Sequence, residues 1–218
     1  MMSKRIVVLI SGNGSNLQAI INACEEKKIN GDVVAVISNK PQVYGLERAK
    51  CHDIDNVVVD HRDYETREAY DVSLAKAIDE HQPDLVVLAG FMRILTADFV
   101  EHYAGKMLNI HPSLLPKYQG LNTHQRAIVA GDSEHGVSVH FVTAELDGGP
   151  VILQAKVPIF ENDTSDELAA RVHEQEHRIY PLVVNWFTDE RLLMQSTNGE
   201  HQALLDNNLL GSEGYSPN

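Results

Sequence analysis

Continuous apolar runs spaced by helical segments dominate the first half of this chain and constrain its fold more than any other feature. Residues 5–10 (RIVVLI), 32–38, 84–89 (DLVVLA) and 107–110 place branched and large aliphatic side chains at consecutive positions. A strand exposed on one face alternates apolar with polar residues, so runs without alternation mark strands buried on both faces. Between them, 17–27 reads as an amphipathic helix and 56–59 as a short strand. A long amphipathic helix is expected over 63–80, ended by His81-Gln82-Pro83. Strands alternating with helices predict a mostly parallel sheet wrapped by helices on both faces.

The pattern changes after Pro116. Residues 136–142 (GVSVHFV) alternate with period two and 151–157 read as another strand, which predicts an antiparallel extension of a Rossmann-like α/β fold in the C-terminal half. A long helix is expected over 164–187, its start marked by Thr164, Ser165, Asp166 and Glu167. Segments 191–195 and 202–205, joined around Asn198-Gly199, suit a small hairpin. The chain reads as one domain over 1–206, with an N-terminal half of about 1–104 and a C-terminal half of about 105–206. A loose tail is expected over 207–218.

Charge narrows the partners. A net charge of −13 is a poor match for phosphate backbones or anionic lipid, so neither nucleic acid nor a membrane is expected. No stretch approaches the roughly 20 apolar residues of a membrane span. The first apolar run is too short for a signal-peptide core. Two cysteines without a motif, Cys24 and Cys51, each in a segment that reads as helical, fit a reduced, cytoplasmic setting. Small-molecule substrates and a monomer or weak homodimer are expected.

Three residue types carry the chemistry. Asn109 and His111 lie two apart at the end of an apolar run, so on a strand both leave the same face. Pro112 ends the pairing there and puts both at the carboxyl end of the strand, where α/β enzymes place their ligands. Asp147, in LDGGP, supplies a carboxylate. An amide can stabilise a developing oxyanion, an imidazole moves protons near neutral pH, and a carboxylate tunes the imidazole. A lone histidine is more often a satisfied core residue, and Asp147 could be a turn residue; the position of Asn109 argues for chemistry.

The turn Ser11-Gly12-Asn13-Gly14-Ser15-Asn16 joins the first strand to the first helix. It lacks the third glycine of a dinucleotide fingerprint and the lysine of a Walker loop, which leaves a cradle for one phosphate at a helix start. The bland alternative is a tight turn with an N-cap at Ser15 or Asn16. The stretch His173-Glu174-Gln175-Glu176-His177 matches the zinc-protease pattern, but nothing well anchored offers a third ligand, and no metal is expected.

Taken together, SGNGSNLQAII, REAYD at 67–71, LAGFMRIL at 88–95, LNIHPSLLPKYQG at 108–120, HFVTAELDGGPVILQ at 140–154 and QEHRIYPLVVNW at 175–186 closely resemble the folate-dependent formyltransferases. Within that family the resemblance is to the branch acting on glycinamide ribonucleotide in purine synthesis. It implies the formyltransferase fold, with 10-formyltetrahydrofolate as co-substrate and no metal. It implies catalysis by Asn109, His111 and Asp147, and a substrate phosphate held by Gly14, Ser15 and Asn16. Glu176 is implied to receive the substrate's ribose or neighbouring polar groups. Folate contacts are implied for Arg67, Met92, Arg93, Ile94, Leu95 and Asn109, and for the loop Val142, Thr143, Ala144, Glu145 and Leu146. His173 departs from the glutamine or basic residue expected there; protonated, it could still reach the phosphate. Outside that context, residues 92–95 would be read as the start of a core-packed helix. The related enzymes that formylate initiator tRNA or hydrolyse the folate are expected to carry an additional domain. A non-catalytic phosphometabolite-binding module would leave Asn109, His111 and Asp147 unexplained.

Overall fold

The computed structural model describes residues 3–197 and 199–216. The chain forms two compact units, one ending at Asn109 and the other beginning at Ile110.

In the first unit, β1 (Lys4–Ile10), β2 (Gly31–Ser38), β3 (Asp55–Val58), β4 (Leu85–Leu88) and β5 (Met107–His111) pair in parallel in the order β3-β2-β1-β4-β5. The unbroken apolar runs are buried as expected: every residue from Ile6 to Ile10 and from Leu85 to Val87 is 0% exposed. Helix α1 (Ser15–Glu25) follows β1, and α2 (Tyr44–Cys51) follows β2. Because β1 lies between β2 and β4, the order of strands reverses direction beside it. The turns after β1 and β4 therefore flank a switch point, where open α/β sheets bind ligands.

The long helix expected over 63–80 starts later than expected, at Arg67, and is preceded by a separate short turn. Asp60 accepts the Arg62 amide at 3.0 Å and closes a 3₁₀ turn over His61–Asp63. Thr66 then restarts the chain as α3 (Arg67–Asp79), its hydroxyl accepting the Ala69 amide at 3.1 Å. Two short helices, α4 (Ala97–His102) and α5 (Thr123–Ala130), were not legible in the sequence; at 6 and 8 residues they are too brief to establish a period.

In the second unit, β6 (Glu134–Phe141) and β7 (Val151–Pro158) pair antiparallel, as expected. The period-two reading of β6 is corrected: every residue from His135 onward is buried, so its polar residues face the interior as well. Helix α6 (Ser165–Thr188) packs on both strands. It opens with a reciprocal cap in which Thr164 accepts the Glu167 amide at 3.2 Å and Glu167 accepts the Thr164 amide at 2.9 Å. The expected hairpin is present as β8 (Leu192–Thr197) and β9 (Glu200–Leu205), although Asn198 lies outside the described residues.

Residues 207–216 do not behave as the loose tail expected of them. Strand β10 (Asn208–Leu209) pairs with β9, the Tyr215 amide donates to Ile152 O at 2.7 Å, and the Tyr215 ring stands edge-on to Trp186 at 5.3 Å. Glycine and asparagine supply the turns there, and pairing across the chain supplies the order. The fold is α/β, a mostly parallel sheet with helices and antiparallel strands in the C-terminal half. No helix among the described residues is long and apolar enough to cross a membrane.

Candidate active site

The glycine turn is built for close approach. Gly14 takes φ +75°, a left-handed conformation that L side chains rarely adopt. A Cβ there would lie 2.9 Å from Gly45 Cα, and the Gly45 amide donates to Gly12 O at 3.1 Å. The N-cap of α1 is Gly14 itself, and no side chain caps the helix, so the reading of Ser15 or Asn16 as N-cap is set aside. A helix start without a side-chain cap, lying at a switch point, is where an anion is stabilised by first-turn amides and the helix dipole. Arg48 braces the turn, donating from Nε to Asn13 O at 2.9 Å and from its Nη2 to Asn13 Oδ1 at 3.0 Å.

Residues 92–95 are neither strand nor helix, since α4 begins only at Ala97. Met92 and Ile94 are 66% and 57% exposed, which rules out core packing as the reason for their apolar character. Buried side chains hold the segment at each end. The Met92 amide donates to Ser11 Oγ at 2.7 Å, and the Thr96 amide donates to Asp71 Oδ2 at 2.7 Å. The Arg93 guanidinium lies over the Tyr70 ring at 4.8 Å, and Arg67 opens the same helix, exposed.

Asn109 is half-buried and His111 buried, two apart on β5, so the strand sends both side chains to one face. His111 Nε2 donates to Tyr118 O at 2.9 Å, while Nδ1 lies 3.5 Å from Asp147 Oδ2. Both ring nitrogens thus face oxygen atoms, Nε2 through a hydrogen bond and Nδ1 across a longer gap to the carboxylate. Asp147, at φ +49°, also accepts the Gly120 amide on Oδ2 at 2.9 Å. Its backbone oxygen takes a bond from Gln119 Nε2 at 3.4 Å. Gly149 packs against Phe141 so closely that a Cβ would lie 1.9 Å from the Phe141 carbonyl oxygen. The loop that carries Asp147 is thereby fixed at both ends, with Val142 and Thr143 half-buried and Ala144, Glu145 and Leu146 exposed.

A residue not read from the sequence belongs to this cluster. His140 Nε2 lies 3.9 Å from Asp147 Oδ1, and its Nδ1 donates to Phe141 O at 2.8 Å. Burial pushes this imidazole down to about 4, so it is neutral near pH 7 and brings no positive charge to the carboxylate. The signal in the sequence was a histidine inside an apolar strand, legible only once both faces of that strand are known to be buried.

On α6, Glu176 is buried, whereas His173 and His177 are exposed and stack one turn apart at 6.5 Å. Among the described residues no group of three His, Cys, Asp or Glu side chains is arranged to hold a metal ion.

The first unit holds an uncapped glycine turn beside the switch point of a parallel sheet, and the second holds an imidazole–carboxylate pair whose histidine ends a strand; each is a feature of α/β enzymes. The formyl transferase family signature matches residues 4–184, and the chain belongs to that family. It is 60% identical to the phosphoribosylglycinamide formyltransferase of Escherichia coli over 210 residues, 96% of this chain and 97% of that one. It is 49% identical over 180 residues to the trifunctional purine biosynthetic protein adenosine-3 of Drosophila melanogaster, covering 82% of this chain and 13% of that protein. The solved structure of phosphoribosylglycinamide formyltransferase from Coxiella burnetii superposes with a TM-score of 0.91 at 51% identity, covering 97% of this chain and 98% of that one.

Proposed function

We propose that this chain transfers the formyl group of 10-formyltetrahydrofolate to the amine of N1-(5-phosphoribosyl)glycinamide, giving the N-formyl product and tetrahydrofolate in purine biosynthesis. The observation that carries the reading is the buried pairing of His111 with Asp147 in a family member 60% identical to the Escherichia coli enzyme. The substrate amine attacks the formyl carbon, a new C–N bond forms, and the bond to N10 of the folate breaks. Asn109 donates to the formyl oxygen as it gains charge, and His111 stabilises the same oxygen and passes protons. Asp147 orients His111 and stabilises positive charge on the imidazole when it takes up a proton during the transfer. No covalent enzyme intermediate is needed, and Ser113 is structural, its hydroxyl donating to Lys117 O at 2.6 Å.

Gly14, Ser15 and Asn16 bind the 5′-phosphate, with Glu176 and His173 contributing to the same substrate. Arg67, Arg93, the exposed apolar pair Met92 and Ile94, Leu95, Asn109 and the loop Val142, Thr143, Ala144, Glu145 and Leu146 receive the folate. Exposed apolar side chains beside ordered backbone suit a flat pterin that needs both walls and hydrogen bonds. We place the enzyme in the cytoplasm as a monomer or weak homodimer, without metal or nucleic acid; two free cysteines support the compartment, and the acidic charge argues against nucleic acid.

The test is turnover of 10-formyltetrahydrofolate, followed by absorbance of the folate product with and without the ribonucleotide. Conversion that requires the ribonucleotide supports the transferase. Conversion in its absence would make the chain a deformylase, and no conversion would reduce the site to structure.

A further inference from the structure

Ser11 occupies a position that the proposed catalytic scheme does not use. It follows β1 at the switch point, is 6% exposed, and makes two short hydrogen bonds. Its hydroxyl donates to Asn39 Oδ1 at 2.6 Å, just beyond β2, and accepts the Met92 amide at 2.7 Å, beyond β4. Asn39 is 1% exposed. One hydroxyl thus ties together the turns after three parallel strands. It has a single hydrogen, committed to Asn39, so its lone pairs are left for the Met92 amide, and the two bonds fix one rotamer.

The two turns joined in this way have different ligands under the proposed function, on which this inference rests. Gly14, Ser15 and Asn16 take the ribonucleotide phosphate, and Met92 to Leu95 take the folate. We infer that Ser11 is a positioning residue that couples the two sites: ordering of the glycine turn by phosphate fixes the Met92 amide for folate, and the reverse. Neither turn can shift alone without leaving a buried donor or acceptor unpaired, a state proteins avoid. The far end of the folate segment does not need this link, because Asp71 holds the Thr96 amide independently. The coupling therefore enters at Met92 and not along the whole segment.

The experiment is calorimetric binding of the ribonucleotide and of tetrahydrofolate to the full chain, each alone and each in the presence of the other. Linkage requires the same coupling factor from both directions. The parent protein is expected to show each ligand tightening the other, within the roughly 5- to 150-fold range common for coupled sites. In Ser11→Ala that factor falls to near one, and the KM values for both substrates rise together. Ser11→Cys keeps the volume but replaces the hydroxyl with a weak donor; it shows an intermediate factor, and it serves if Ser11→Ala does not fold. An undiminished factor in either folded variant overturns the proposal, as does loss of thermal stability alone with both KM values unchanged. A parent protein that binds both ligands without coupling overturns it too. Failure of the parent protein to bind either ligand would instead defeat the proposed function itself.

Discussion

His111 Nδ1 lies 3.5 Å from Asp147 Oδ2, and that same carboxylate oxygen accepts the Gly120 amide at 2.9 Å. Asp147 therefore faces the imidazole and anchors its own loop with one atom, so charge and position can be separated by the choice of substitution.

Asp147→Asn keeps an oxygen for the Gly120 amide, and asparagine tolerates the left-handed backbone at φ +49°. Asp147→Ala loses both anchor and charge. The expected outcome is a lowered kcat with little change in the folate KM for Asp147→Asn. For Asp147→Ala the lowered kcat is joined by a raised folate KM. Steady-state kinetics with each substrate varied in turn makes the comparison; equal folate KM values in the two variants would show that the Gly120 bond does not hold the loop.

Asn109→Ala and His111→Ala each remove one group from the same face of β5. Losing one oxyanion donor lowers turnover by about a hundred- to a thousand-fold. Each variant is expected to fall in that range while ribonucleotide affinity, measured by calorimetry, stays within a few-fold of the parent. Turnover reduced less than ten-fold in both would take these residues out of the chemistry.

Two buried imidazoles, His135 and His140, and the half-buried His124 predict how stability depends on pH. Burial pushes His135 and His140 down to about 4, and His124 is lowered as well, from an ordinary 6.5. His124 Nδ1 and His135 Nε2 meet at 3.1 Å, a contact that needs one donor and one acceptor and so is lost when both rings are protonated. Between pH 6.5 and 4 the unfolded chain binds more protons than the folded one, so stability is full above 6.5 and falls as pH drops toward 4. Asp132, Asp163 and Glu167, all held below their ordinary values, add a loss of the same sign that begins near pH 5 and continues at lower pH, so above pH 5 the histidines dominate. Urea unfolding at pH 7 and pH 5 is expected to show a lower midpoint at pH 5. The gap should narrow in His135→Gln, and a gap of unchanged size would show that His135 does not contribute.

The two cysteines should differ in reactivity. Cys24 is buried and burial pushes its thiol up to about 12, whereas Cys51 is exposed at the end of α2. A thiol-specific chromogenic reagent at pH 8 is expected to titrate one group per native chain and two after denaturation. Rapid reaction of both in the native state would mean that α1 opens readily.

The sequence determined a great deal here because much of it is local. Unbroken apolar runs specified doubly buried parallel strands, and Thr164 with Glu167 specified the start of α6. Asn109, His111 and Pro112 specified two polar side chains on one face at a strand end. These inferences use spacings of a few residues, over which backbone geometry dictates where side chains point. Only the tertiary structure decided that β6 is buried on both faces, which neutralises His140 beside Asp147. It likewise decided that residues 207–216 are paired with the body of the chain. It also decided that one hydroxyl at Ser11 holds an amide at Met92, 81 positions away. Burial and long-range hydrogen bonds depend on which segments the fold brings together, and a periodic pattern within one segment carries no record of its neighbours.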